Sequence, residues 1–128
     1  MRPIVTLTIT SLLSIVLFSF HWVDEIARGL EPGTLAGLGG VLILVVWLYG
    51  TVALAGRRSG YVITLLGGIL GFGVLLLHMK GAGLVGGRIA NTSGQFFWVW
   101  TLIAMGVTST ISVVLSVRGL WGLRGSAR

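Results

Sequence analysis

Four apolar stretches, each about twenty residues long and none holding Asp, Glu, Lys or Arg, make up most of this chain: Ile4–Val23, Thr34–Ala55, Tyr61–Met79 and Phe96–Val117. As α-helices at about 1.5 Å per residue, each reaches about 30 Å, the thickness of a bilayer's hydrocarbon core. In hydrocarbon every backbone N–H and C=O has to be satisfied within the chain, so continuous helices are expected. A β-barrel needs segments of alternating polarity, and these runs do not alternate. The sequence therefore predicts an all-α integral membrane protein, a four-helix transmembrane bundle forming one domain over residues 1–128.

The composition agrees with this. Of the 128 residues, 55% are hydrophobic and only 9% charged, against about 25% charged in soluble domains. Such a chain cannot cover itself with a hydrated surface, and its loops are too short to hold a separate catalytic domain. The first run is longer than a signal-peptide core, and no small-x-small cleavage site follows it in Ser19-Phe20-His21-Trp22, so it reads as a retained span. The absence of cysteine excludes disulfides, thiolate metal sites and a cysteine nucleophile. The net charge of +6 does not point to nucleic acid, because the bases are spread over the ends of the runs rather than along one helix face.

Those bases orient the spans. Arg2, Arg57, Arg58, Arg118, Arg124 and Arg128 fall on one side, and Arg28, Lys80 and Arg88 on the other. The excess of basic residues marks the first side as cytoplasmic, with both termini inside. Trp22, Trp98 and Trp100 are expected at the outer interface and Trp121 at the inner one. The link Gly56-Arg57-Arg58-Ser59-Gly60 is so short that the second and third spans should be antiparallel neighbours.

Packing signals are of two kinds. Gly67-x-x-x-Gly71 in the third span and Gly33-x-x-x-Gly37 at the start of the second are small-xxx-small patterns. These let backbones approach closely, either within one bundle or across a homodimer seam. Thr6, Thr10 and Ser14, and likewise Thr108, Ser112 and Ser116, repeat every four residues. Each set forms a hydroxyl stripe that should turn inward and bond across helices or back to i−4 carbonyls.

All three acids, Asp24, Glu25 and Glu31, lie just past the first run, and both histidines fall at outer run ends. His21, Asp24 and Glu25 can share a face if the first helix continues that far, and His78 ends the third span at similar depth. Two imidazoles with one or two carboxylates resemble the donor set of a divalent-metal site, while histidines at helix ends also serve as interfacial or hydrogen-bonding residues or as a pH-sensing, proton-handling group. A haem held by both histidines would need them to face each other across an apolar slot. The acids have a structural alternative: Asp24 or Glu25 pairing with Arg28, Lys80 or Arg88 to clamp the outer loops together.

Three functional readings follow. The leading one is a non-enzymatic small membrane protein that associates with itself or serves as an accessory subunit of a larger membrane complex. The second is a ligand-binding or redox membrane protein with a metal or haem at the outer mouth, the only route to an enzyme, since no serine sits in a nucleophile elbow. The third, a transporter or channel subunit, requires a polar cavity through the bundle. Small multidrug transporters share the span count, but their first-span glutamate has no counterpart here, and no ionisable group stands at mid-membrane depth. The runs Ser19–Gly33 (SFHWVDEIARGLEPG), Gly56–Tyr61 (GRRSGY) and Gln95–Trp121 resemble those of small uncharacterised four-span bacterial membrane proteins. That resemblance implies the topology and a bacterial inner membrane, and it brings no activity with it.

Overall fold

The computed structural model describes residues 2–80 and 92–125. Among these there are four α-helices and no strand: α1 (Pro3–Ala27), α2 (Leu38–Val52, entered through a 3-10 turn at Leu35–Gly37), α3 (Arg58–Met79) and α4 (Gln95–Gly125). All four, with the 3-10 turn counted into the second, are long and apolar enough to cross a membrane. Three outrun their apolar stretches clearly, α3 by starting at Arg58, ahead of Tyr61. α1 continues a turn past Val23, and α4 runs on past Val117 through Arg118 and Arg124. α2 stops at Val52, short of Ala55, in the turn that leads to α3.

The extra turn of α1 has an identifiable end. Gly29 takes φ +66, its N–H bonds the Ile26 carbonyl at 3.0 Å, and Leu30 N–H bonds the Glu25 carbonyl at 2.9 Å. This is the Schellman closure, which glycine permits because it has no Cβ to clash in the left-handed region. It holds the backbone of Glu25 inside a finished helix end.

Side-chain pairs fix the topology. Ser14 meets Thr108 and Thr10 meets Ser112, so α1 and α4 are antiparallel. Thr64 meets Ser116, and Gly106 lies under Leu75, so α3 and α4 are antiparallel too. Trp47 covers both Gly67 and Gly71, while Gly50 lies against Ile63, which sets α2 antiparallel to α3. The helices therefore alternate up and down. Arg2, Arg57, Arg58, Arg118 and Arg124 gather at one end, His21 and His78 at the other. Arg88 and Arg128 lie outside the described residues.

The interior is polar and small. Among the described residues, Thr10, Ser11, Ser14, Thr51, Thr64, Thr101, Ser109, Ser112 and Ser116 are buried, whereas the buried large apolar side chains are Leu7, Ile15, Trp47, Trp98, Leu102 and Met105. Val23, Leu42, Leu66, Leu77 and Phe96 are each more than 60% exposed. The outer surface is thus a nearly continuous apolar girdle, far beyond the patches that a water-soluble monomer tolerates.

The interhelical hydrogen bonds follow one rule. Thr108, Thr10, Thr51 and Thr64 each spend their single proton on a carbonyl four residues back, at 2.8–3.0 Å. Each is left with only lone pairs to offer a neighbour. The cross-helix contacts Ser14–Thr108 (2.8 Å), Ser112–Thr10 (3.0 Å), Ser11–Thr51 (2.8 Å) and Ser116–Thr64 (3.0 Å) are therefore donated by the serines, with Ser14 and Ser112 sharing that proton with the carbonyls of Thr10 (2.9 Å) and Thr108 (3.0 Å) four residues back. Ser11 Oγ also accepts Trp47 Nε1–H at 2.9 Å, which pins the indole over α3.

Glycines open the room for this. Gly67, Gly68 and Gly71 are buried, and a Cβ on them would run into Trp47, Val113 and Ser109 respectively. The glycine face of α3 is thus turned inward. Gly33-x-x-x-Gly37, expected as a helix-packing pattern, is not one: Gly33 lies in the loop before the 3-10 turn, and Gly37 ends that turn beside Trp22. The close approach along α2 falls to Gly40, under Trp22, and Gly50, under Ile63. Replacing Gly67 with valine should destabilise the bundle by about 1–3 kcal/mol, the usual range for overpacking. Gly73→Ala, where a Cβ meets nothing within 4 Å, should be neutral or stabilising by up to about 1 kcal/mol. Thermal unfolding in detergent compares the two.

Candidate metal centre

The prolonged α1 places Glu25 one turn beyond His21, and α3 brings His78 to the same end. His78 Nε2 lies 2.7 Å from Glu25 Oε1, and His21 Nε2 lies 3.6 Å from that same oxygen. One nitrogen from each imidazole and a carboxylate oxygen all fall within 4.8 Å of one another. The imidazoles meet edge to face with centroids 5.1 Å apart, and Trp98 stands 5.2 Å from each of them. His21 is 2% exposed, while Glu25 and His78 are partly open.

The far nitrogen of each ring decides the tautomers. His78 Nδ1 is 2.8 Å from the Val74 carbonyl. A carbonyl only accepts, so Nδ1 carries the hydrogen. His21 Nδ1 is 3.3 Å from Thr101 Oγ1, whose own proton goes to the carbonyls of Phe97 and Trp98 at 3.0 and 3.1 Å. Thr101 can therefore only accept here, and His21 Nδ1 carries a hydrogen too. Each neutral ring thus presents an unprotonated Nε2, and both nitrogens lie beside one carboxylate oxygen. Acceptors so arranged repel unless a cation or a proton stands between them. His21 Nε2 is buried, 3.6 Å from Glu25 Oε1, and has no hydrogen-bond partner among the described residues.

The remaining sequence candidates are placed differently. Asp24 is not part of the group: its Oδ2 accepts Arg28 Nε–H at 2.7 Å within the same helix. Arg28 Nη1 reaches on to Thr92 Oγ1 at 3.0 Å, tying the end of α1 to the segment that leads into α4. Lys80 forms no ion pair among the described residues, and Arg88 lies outside them. Glu25, considered as a clamp residue, is engaged with histidine instead. Trp98, expected in an interfacial belt, is buried at 3% exposure against the two imidazoles. The rings touch each other with Trp98 on both, which leaves no flat slot between them for a porphyrin.

Thr101 and the Val74 carbonyl were not singled out from sequence, and Trp98 only as a belt residue. Thr101 had a signal: it precedes Thr108 by seven residues and so continues the inward hydroxyl stripe of α4. The site opens on a cleft of about 300 Å³ between α1, α2 and α3, whose other walls include Phe18, Trp22, Ile43, Leu44, Leu70 and Val74. No protein-family model, curated protein or solved structure matches this chain.

Thr101→Val keeps the shape of the side chain but removes the acceptor for His21 Nδ1–H. Imidazole nitrogen-15 spectra at neutral pH should show His21 moving from the Nδ1–H form to a tautomer mixture. His78, held by a backbone carbonyl, should be unaffected. An unchanged His21 signal would count against the tautomer assignment.

Proposed function

We propose that this chain is a four-span integral protein of a bacterial cytoplasmic membrane, with both termini on the cytoplasmic side. In this reading it binds one divalent first-row transition-metal ion at its outer end, through His21 Nε2, His78 Nε2 and the Glu25 carboxylate. The observation that carries the metal is the pair of committed Nδ1 atoms, since both unprotonated Nε2 atoms are left beside one carboxylate oxygen, at 2.7 and 3.6 Å. Imidazoles that ligate a metal characteristically donate their other N–H to a carbonyl or similar acceptor, which fixes the ring and raises its basicity.

Distances support the reading. Ligand bonds of about 2.0–2.1 Å at a tetrahedral centre put donor atoms about 3.3 Å apart; the separations from Glu25 Oε1 are 2.7 and 3.6 Å, and the three donors lie within 4.8 Å of one another. Two imidazoles and one carboxylate suit zinc or iron(II) and leave a coordination position open. That position would face the cleft, which the three ligand side chains help to line. Membrane placement rests on the apolar girdle and the four long apolar helices, and the orientation on Arg2, Arg57, Arg58, Arg118 and Arg124 gathering at one end.

A second reading has its own observation. The 2.7 Å His78–Glu25 contact is the length of a charge-assisted hydrogen bond, so a proton would satisfy that pair. It would leave the buried His21 Nε2 unpartnered, which is why the metal is favoured. Action through self-association or as an accessory subunit has less to rest on, because Gly67 and Gly71 are spent on Trp47 and Ser109 inside the bundle.

Purified protein should bind one cobalt(II) or zinc(II) ion per chain in a calorimetric titration. His21→Ala, His78→Ala and Glu25→Gln should each abolish that binding, while Asp24→Asn leaves it intact. Thr101→Val should weaken it by about 10–100-fold, as losses of an outer hydrogen bond to a ligand do. Binding that survives all three ligand substitutions would sink the proposal.

A further inference from the structure

The cleft at the metal centre does not end there. Ile43 and Leu70, which line its inner part, also line a second apolar cleft of about 340 Å³ between α2 and α3. That one runs along Leu42, Val46 and Leu66 to the Trp47–Gly67 contact. The shared residues set the two clefts next to each other along α3. From His78 to Leu66 they span about 18 Å of helix at 1.5 Å per residue, slightly more than half of a hydrocarbon core about 30 Å thick.

We propose that the two clefts act as one groove that takes one hydrocarbon chain of a membrane amphiphile, and that the oxygen-bearing head of that amphiphile is the group placed on the open position of the metal. This rests on the metal reading above. Three features argue for that occupant. The groove walls are apolar and face outward, with Leu42 63% and Leu66 62% exposed, so within a bilayer only hydrocarbon can fill them. Its depth is that of a single leaflet. Its polar lining consists of His21, Glu25, His78 and Glu31, all at the outer end, where an amphiphile of the outer leaflet carries its head.

The charge at that end selects the head. Arg28 is taken by Asp24, and Glu31 lines the cleft together with Glu25, so a divalent ion leaves the lining with no net charge. A strongly polar oxygen donor suits it. Filling a groove in hydrocarbon brings no hydrophobic gain, because the chain was already out of water. The groove therefore acts by positioning: it delivers the head to the metal laterally, from the bilayer.

The test uses the full chain, loaded with cobalt(II) in lipid nanodiscs, with visible absorption as the readout of a new oxygen ligand. Laurohydroxamate carries a metal-binding oxygen head on a long chain, and acetohydroxamate carries the same head without the chain. Ile43→Trp fills the junction of the two clefts from a half-exposed position, where folding is not at stake. In this variant the laurohydroxamate concentration needed for the spectral change should rise about tenfold or more, the scale of an overpacked contact. The acetohydroxamate response should be unchanged. Val46→Trp, deeper in the groove, should also weaken laurohydroxamate while sparing acetohydroxamate. If laurohydroxamate binds as well to both variants as to the parent protein, the groove holds no chain and the inference is overturned, with the metal site intact. If the parent protein takes up no cobalt, the metal reading fails and this one with it.

Discussion

A buried hydroxyl has one proton to give, and the packing of this bundle follows from where each one goes. Four threonines turn theirs back to a carbonyl one turn away, and serines from the facing helices supply the protons that cross, Ser14 and Ser112 sharing theirs with a carbonyl one turn back as well. Ser14 and Ser112 join α1 to α4, Ser116 joins α4 to α3, and Ser11 joins α1 to α2 while accepting the Trp47 indole. For helices with apolar outer faces, a hydrocarbon surrounding would leave hydrogen bonds and close packing of small residues to hold them together, since burial of one more leucine gains nothing there.

The candidate centre depends on that arrangement. The α1–α4 register set by Ser14–Thr108 and Thr10–Ser112, continued two turns outward, puts His21 beside Thr101. The register of α3 against α4, set by Thr64–Ser116 and by Gly106 under Leu75, carries His78 to the same level. The Schellman closure at Gly29 then finishes α1 just after Glu25 has come round to both rings. A polar interior thus locks the helices, and their locked ends converge three donors that are far apart in sequence.

Much of the architecture was legible in the chain. Four charge-free runs of spanning length announce four helices, and the five-residue link at Gly56–Gly60 announces a tight antiparallel pair. The hydroxyl stripes announce inward faces because a four-residue period keeps them on one side of a helix. Other features were not legible. Gly33-x-x-x-Gly37 has the spacing of a packing pattern, but spacing does not say whether both glycines lie on one helix. Trp98 has the position of a belt residue, and only the rotation of α4 about its axis turns it inward.

The sequence by itself determined the number of helices, their apolar outsides, their hydroxylated insides and the presence of His21, Glu25 and His78 near one end. These are properties of composition and periodicity along single helices. Only the tertiary structure decided that Glu25 faces both imidazoles while Asp24 turns to Arg28, that Thr101 and Val74 hold the ring tautomers, and that the glycines of α3 are used inward. Each of these depends on the relative rotation and register of helices distant in sequence. Those are set by which serine meets which threonine, and no periodicity within one helix encodes them.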